Sequence, residues 1–201
     1  MKYLIMILVI VTIPIFAGTS KYGENIKSTY INFSLGGASN GYGNKFIASL
    51  KDNDNVEHSS TFFDLGIYFP MSTHTLLGAA VTVSSDHFSD TYGGDNYIDY
   101  TTSIIGISAI YFSSYIEEGF FYRGDFGLTT LNVSYSDHGE DIEKSNDEFG
   151  MGGLVGVGYA FPFTWGTVMI NLLFSHKMIN HSTGSKTLNV STASFSIGGI
   201  F

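Results

Sequence analysis

Cysteine is absent from this chain of 201 residues, arginine occurs once, and proline occurs three times. The missing thiols exclude disulfides, thiol chemistry and a lipidated N-terminal cysteine. Charge is scarce as well: 13% of residues are Asp, Glu, Lys or Arg, about half the ~25% of an ordinary soluble domain. A conventional charged coat therefore cannot be assembled. Hydrophobic residues stand at an ordinary 44%, so Gly, Ser, Thr and Asn occupy the places that charges have vacated. Past the first segment no apolar run reaches 18 residues, which excludes a helical membrane bundle. Disorder is excluded by 15% aromatic residues and abundant β-branched ones.

What is present begins with MKYLIMILVIVTIPIFA, in which Lys2 precedes an apolar stretch from Tyr3 to Phe16 that ends at Ala17. This reads as a signal peptide over 1–17, cleaved after Ala17, because the stretch falls short of the ~17 to 25 residues that span a bilayer. Residues 18–201 then form one domain. Without Lys2 the chain carries 8 basic and 18 acidic residues, and a balance of −10 excludes a nucleic-acid partner.

Alternation with a period of two recurs along the mature chain, bounded each time by turn-forming residues. At 149–161, Phe149, Met151, Val155, Val157, Tyr159 and Phe161 share one face, and Gly150, Gly152, Gly156, Gly158 and Ala160 the other. Equivalent strands are expected at 29–39, 62–69, 75–85, 166–176 and 187–201. Two more, 97–112 and 119–135, change apolar parity at Ile104–Ile105 and Thr129–Thr130, which predicts a bulge or an exit from the membrane band.

Eight strands result, joined alternately by short and long links. The short ones are 70–74, 113–118 and 161–164; the long ones are 40–58, 86–96, 136–148 and 179–186. All short turns then lie at one end with both termini, as in an all-β, eight-stranded antiparallel up-and-down transmembrane β-barrel of the bacterial outer membrane. A soluble lipid-binding barrel is the alternative. Its water-facing side would need Lys, Glu and Arg, whereas the non-greasy face here is Gly, Ala, Ser, Thr and Asn, suited to a narrow lumen. Phe69, Tyr111, Phe112, Phe120, Tyr122, Phe161, Phe163 and Trp165 are expected to form the girdle at the short-turn end.

The leader, the eight alternating strands, GVGYAF at 156–161 and the terminal FSIGGIF together resemble the small OmpX/Ail/Opa-type outer-membrane barrels. The resemblance covers the whole mature chain and is architectural. It implies a C-terminal signal for the barrel-assembly machinery, carried by Phe195, Ile197 and Phe201, and insertion among outer-membrane lipid and lipopolysaccharide as a monomer. Gly199 departs from that pattern, because such proteins often carry a second aromatic there.

Arg123 and Asp125 share the face opposite Phe120, Tyr122, Phe126 and Leu128, and Asp64 is inward on its own strand. Counted from the short turns, the three reach similar depth, which predicts an interior ion cluster. It either plugs the lumen or gates a small pore.

Thirteen of the 18 acids fall in or just after the first three long links: Asp52, Asp54, Glu57, Asp86, Asp90, Asp95, Asp99, Asp137, Glu140, Asp141, Glu143, Asp147 and Glu148. Loose divalent binding and bridging to lipopolysaccharide phosphate are conceivable chemistry for such tips, but no Ca²⁺-loop spacing occurs, and neither a metal nor a cofactor is expected. The acidity disfavours heparin-like ligands. Contact with a host or neighbouring-cell protein would use a basic patch on the partner or the aromatics Tyr92, Tyr97 and Tyr135.

Barrels of this size include lipid A deacylases, whose His and Ser lie two apart in an HxSN motif on the penultimate strand. Here that stretch reads His176-Lys177-Met178-Ile179, without the serine, and His181-Ser182 are adjacent and would point to opposite faces. His58, His74, His87 and His138 show no ligand spacing. The chain is therefore read as no enzyme. A loop-borne surface interaction is favoured over a purely structural barrel, and an eight-stranded lumen filled by side chains is too narrow for a general porin.

Overall fold

A computed structural model describes residues 27–43, 56–90, 96–137, 140–142, 148–164, 166–180 and 187–201. The leader lies outside them. Alternating sequence becomes strand throughout: β1 Tyr30–Tyr42, β2 Val56–Pro70, β3 Thr75–Asp90, β4 Tyr97–Phe112, β5 Gly119–Asp137, β6 Glu140–Ile142, β7 Glu148–Phe163, β8 Gly166–Asn180 and β9 Thr187–Ile200. Each long strand pairs antiparallel with its sequence neighbour, and β1 pairs with β9, so the sheet closes into an eight-stranded barrel. The three-residue β6 folds back on the end of β5 and extends that hairpin beyond the barrel wall.

Closure is staggered. The row that leaves β4 at Phe112 passes Phe121, Gly158, Asn171, Ser196, Gly36, Phe62 and Ser84 and returns to β4 at Thr102, ten residues away. A shear of this kind tilts the strands and sets a lumen that side chains fill. At the seam the Ile31 and Phe201 amides each donate to the other's carbonyl, both at 3.0 Å. No sheet edge is left within the barrel.

The outward face carries the large apolar residues. Leu35, Ile67, Phe69, Leu77, Ile105, Ile107, Phe126, Val155, Leu172, Phe174, Phe195 and Ile197 are all exposed, as a lipid-facing surface requires. Toward the long-loop end this face turns polar, with cross-strand hydroxyl pairs Ser85–Thr101 at 2.8 Å and Ser103–Thr130 at 2.6 Å. The strands continue past that change, so the barrel stands above its apolar band.

One pair of alternatives resolves, and two expectations need correction. First, at the parity changes of β4 and β5 the exit from the apolar band holds and the bulge does not, since their pairing runs unbroken from Tyr97–Ser136 to Phe112–Phe121, and that of β3 with β4 from Thr75–Tyr111 to Ser89–Tyr97. The parity change arises because Ile104 points inward at 2% exposure while Ile105 points to lipid at 53%. In β5 the outward face turns polar at Thr130 as the inward face turns apolar at Leu131. Second, Phe112 is fully buried in the lumen and is no part of the girdle; Phe69, Tyr111, Phe120, Tyr122, Phe161 and Phe163 do face outward, and Trp165 lies outside the described residues. Third, the lumen is not lined by small residues alone, because bulky inward side chains form apolar layers where glycines leave them room. The Phe121 ring lies over Gly158, and the Leu173 side chain over Gly156.

Candidate functional site

Inward residues of all eight strands build the lumen in five layers, from the short-turn end upward. The floor comprises Tyr30, Tyr68, Leu76, Ala80, Ile110, Phe112, Phe121, Ala160, Met169 and Ile200, joined by Ile116 from the β4–β5 turn. Next comes the predicted cluster. Arg123 Nη1 donates to Asp64 Oδ2 at 2.6 Å and Nη2 to Asp64 Oδ1 at 2.8 Å, while Nε and Nη2 donate to Asp125 Oδ2 at 3.1 and 2.6 Å. Asn32 Nδ2 donates to Asp64 at 2.5 Å, and Ser108 donates to Asp125 and meets the Tyr68 hydroxyl at 2.9 Å. One guanidinium is thus shared between two carboxylates, and hydroxyl and amide donors satisfy the surplus oxygens.

A second apolar layer follows, made of Phe62, Ile104, Leu154 and Leu173. Above it lies a polar layer that was not anticipated as a cluster. Lys177 Nζ donates to Ser84 Oγ at 3.0 Å, Thr102 Oγ1 at 2.7 Å and Thr192 Oγ1 at 3.4 Å. Beside it the buried Asp86 accepts from Asn40 Nδ2 at 3.0 Å and from Ser60, and His58 Nε2 stands 3.3 Å away. Lys177 shares parity with Leu173 on the inward face of β8, so alternation alone would have found it. Asp86, in the second long link by sequence, lies on β3, because the strands outlast their apolar segments. The cap consists of Phe88, Tyr100, Leu131, Ile179 and Val190.

Asp64, Arg123 and Asp125 therefore do meet, as their depths predicted. Breaking their contacts would still leave three apolar layers across the lumen, which disfavours a gate resting on Arg123 alone. Among the described residues no group of three or more His, Asp or Glu could hold a metal ion.

Tyr97 opens β4 and packs against His87, with ring centroids 5.6 Å apart, and His87 Nδ1 lies 2.6 Å from Asp99 Oδ1. Asp137, Glu140 and Asp141 lie on the β5–β6 hairpin, where Asp137 pairs with Glu140 and Ser136 with Asp141. Glu148, a loop-surface residue by sequence, opens β7 instead and is 4% exposed, because the strand begins one residue before the alternating segment and this position faces inward. Tyr92 and Glu143 lie outside the described residues.

His176 faces outward at the upper margin of the apolar band, and its Nδ1 stands 3.0 Å from Ser191 Oγ on β9. The serine missing from the local motif is thus supplied by a neighbouring strand, a pairing that sequence spacing could not disclose. No carboxylate contacts this imidazole among the described residues, so a serine–histidine–acid relay is not formed there.

At the C-terminus Phe195 and Ile197 face lipid, and the Phe201 ring lies against Gly199 and Gly166. A Cβ on Gly199 would fall 2.8 Å from that ring. The glycine that departs from the usual aromatic is therefore the seat of the terminal aromatic.

A closed antiparallel barrel with a lipid-compatible outer band, a filled lumen, short turns at one end and long links at the other is a transmembrane β-barrel of the OmpX/Ail/Opa architecture, which resides in the bacterial outer membrane. Solved structures agree. The barrel of Ail, the attachment invasion locus protein of Yersinia pestis, superimposes with a TM-score of 0.53 at 12% identity in its complex with the heparin analogue sucrose octasulfate, covering 87% of this chain and 100% of Ail. Without that ligand the values are 0.51 and 13% over the same shares. Neisserial surface protein A matches at a TM-score of 0.50 and 16% identity, over 88% of this chain and 98% of its own. At these identities the likeness establishes the fold. Neither a comparison with protein families nor one with curated protein sequences finds a match.

Proposed function

We propose that this barrel is a non-enzymatic surface-interaction protein that presents its four long connections outside the cell, the third foremost, for adhesion or for engaging host factors. The closed lumen carries this reading: with apolar layers at the floor, middle and cap, solute passage is excluded as the main task. What remains for recognition is the long-loop end, where the strands rise above the apolar band and the β5–β6 hairpin extends one connection further. Ail, one of the solved structures with this fold, is an attachment protein crystallised with a polysulfated sugar analogue. The acidic connections of this chain oppose such a ligand electrostatically, so the partner we infer is a protein with a basic or aromatic-binding patch.

The same reading takes residues 1–17 as a cleaved leader, Phe195, Ile197 and Phe201 as the signal read by the barrel-assembly machinery, and lipopolysaccharide as the surrounding lipid of a monomer. Cells displaying the wild-type chain are compared with cells in which residues 138–147 are replaced by a short Gly-Ser turn. Adhesion lost while the barrel still assembles supports a loop-borne adhesin. Adhesion equal to wild type, or wild-type adhesion no greater than that of empty cells, overturns it in favour of a purely structural barrel.

A further inference from the structure

The periplasmic mouth contains a contact that neither the lumen layers nor the loops require. In the β4–β5 turn Ile116 enters the floor cluster, and its amide donates to the Thr73 carbonyl of the β2–β3 turn at 3.0 Å. The next residue, Glu117, is buried although it sits at a turn tip, and its φ of 75° makes it the one non-glycine residue with positive φ among the described residues. A Glu in the left-handed region is sterically unfavourable, and a glycine would relieve it. Its carboxylate accepts from Lys27 Nζ at 2.7 Å. Lys27 precedes β1, and its ammonium also lies over the Tyr30 ring, 5.4 Å from the centroid. Around the barrel β1 and β5 are four strands apart in either direction, so this ion pair joins opposite walls.

We propose that Lys27 and Glu117 form a strap across the periplasmic mouth, which closes only after β1 has met β9 and then shields the floor from water and slows barrel opening. The strained backbone at Glu117 places its carboxylate under the lumen, and the segment before β1 brings the ammonium to it. A contact between opposite walls cannot form while the sheet is open, so it belongs to the closed state and acts mainly on the unfolding rate.

The test uses the mature chain refolded in liposomes, in wild-type form and with Lys27→Met, Glu117→Gln, Glu117→Gly and the Lys27→Met/Glu117→Gln pair. Each single change is expected to speed urea-induced opening roughly tenfold, and the pair is expected to open no faster than the faster single variant. Wild-type rates in both Lys27→Met and Glu117→Gln, or rate effects that multiply in the pair, overturn the strap.

Because the chain lacks cysteine, Ala160→Cys in the floor reports water entry through labelling by a small maleimide, with Met169→Cys as the second reporter if the first fails to fold. Labelling should rise about tenfold with Lys27→Met and with both Glu117 variants, taking the opening rate as its guide. Unchanged labelling in Lys27→Met overturns the shielding. Wild-type labelling in Glu117→Gly would show that turn packing, and not the ion pair, closes the mouth.

Discussion

Arg123 on β5 reaches across the lumen to Asp64 on β2, and the two side chains meet in parallel hydrogen bonds of 2.6 and 2.8 Å although 59 residues separate them. A guanidinium fork matched to a carboxylate in this way, with Asp125 on its other edge, fixes two distant walls of the barrel at one depth.

Removing the cation leaves two buried carboxylates facing each other. Arg123→Met should therefore destabilise the barrel by about 3 to 5 kcal/mol, the usual cost of breaking a buried pair on one side. The triple change Asp64→Leu, Arg123→Met and Asp125→Leu should recover most of that loss, because no charge then remains to be solvated. Urea titrations followed by heat-modifiable mobility give both values. Single-channel conductance of Arg123→Ala should stay at the wild-type level, since the layers around Phe121, Ile104 and Tyr100 still fill the lumen. A new conducting state in that variant would reinstate the gate.

Glycines on the inward face of β7 are expected to resist substitution far more than those facing lipid. A Cβ on Gly158 would overlap the Phe121 ring and the Ile170 carbonyl, whereas one on Gly124 meets nothing within 4 Å. Gly158→Ala should cost about 1 to 3 kcal/mol through overpacking. Gly124→Ala should stay within about 0.5 kcal/mol of wild type. Equal midpoints for the two variants in urea would show that β7 can shift to accept the methyl group.

The C-terminal aromatic gives the third test. Since the Phe201 ring lies against Gly199 and Gly166, Gly199→Phe should displace it and lower the folded fraction on refolding, even though the substitution restores the more usual pattern of aromatics. Deleting Phe201 should also remove the paired hydrogen bonds with Ile31 that close the seam. A higher folded fraction in Gly199→Phe would mean that recognition of the aromatic outweighs the local clash.

Much of this architecture is legible in the amino-acid order because a barrel wall obeys a period of two wherever one face meets lipid. Phe63, Leu65, Ile67 and Phe69 face outward, and Asp64 and Tyr68 inward, as alternation requires. The depth of Arg123 and Asp64, counted from the short turns, sufficed to predict their meeting. Where both faces are apolar, as at Ile104 and Ile105, the pattern loses its contrast, and an unbroken strand leaving the apolar band reads equally as a bulge.

Sequence by itself thus determined the class of protein: too little charge for a soluble coat, no run for a membrane helix, and eight alternating segments with short and long links in turn. Only the tertiary structure decided what fills the barrel and what touches across it. Closure with a ten-residue stagger brings residues from distant strands to one height, and that stagger is set by backbone pairing all around the sheet. The layering of the lumen, the Lys177–Asp86 region, the His176–Ser191 pair and the Lys27–Glu117 contact all depend on it, because each joins residues whose proximity no local spacing encodes.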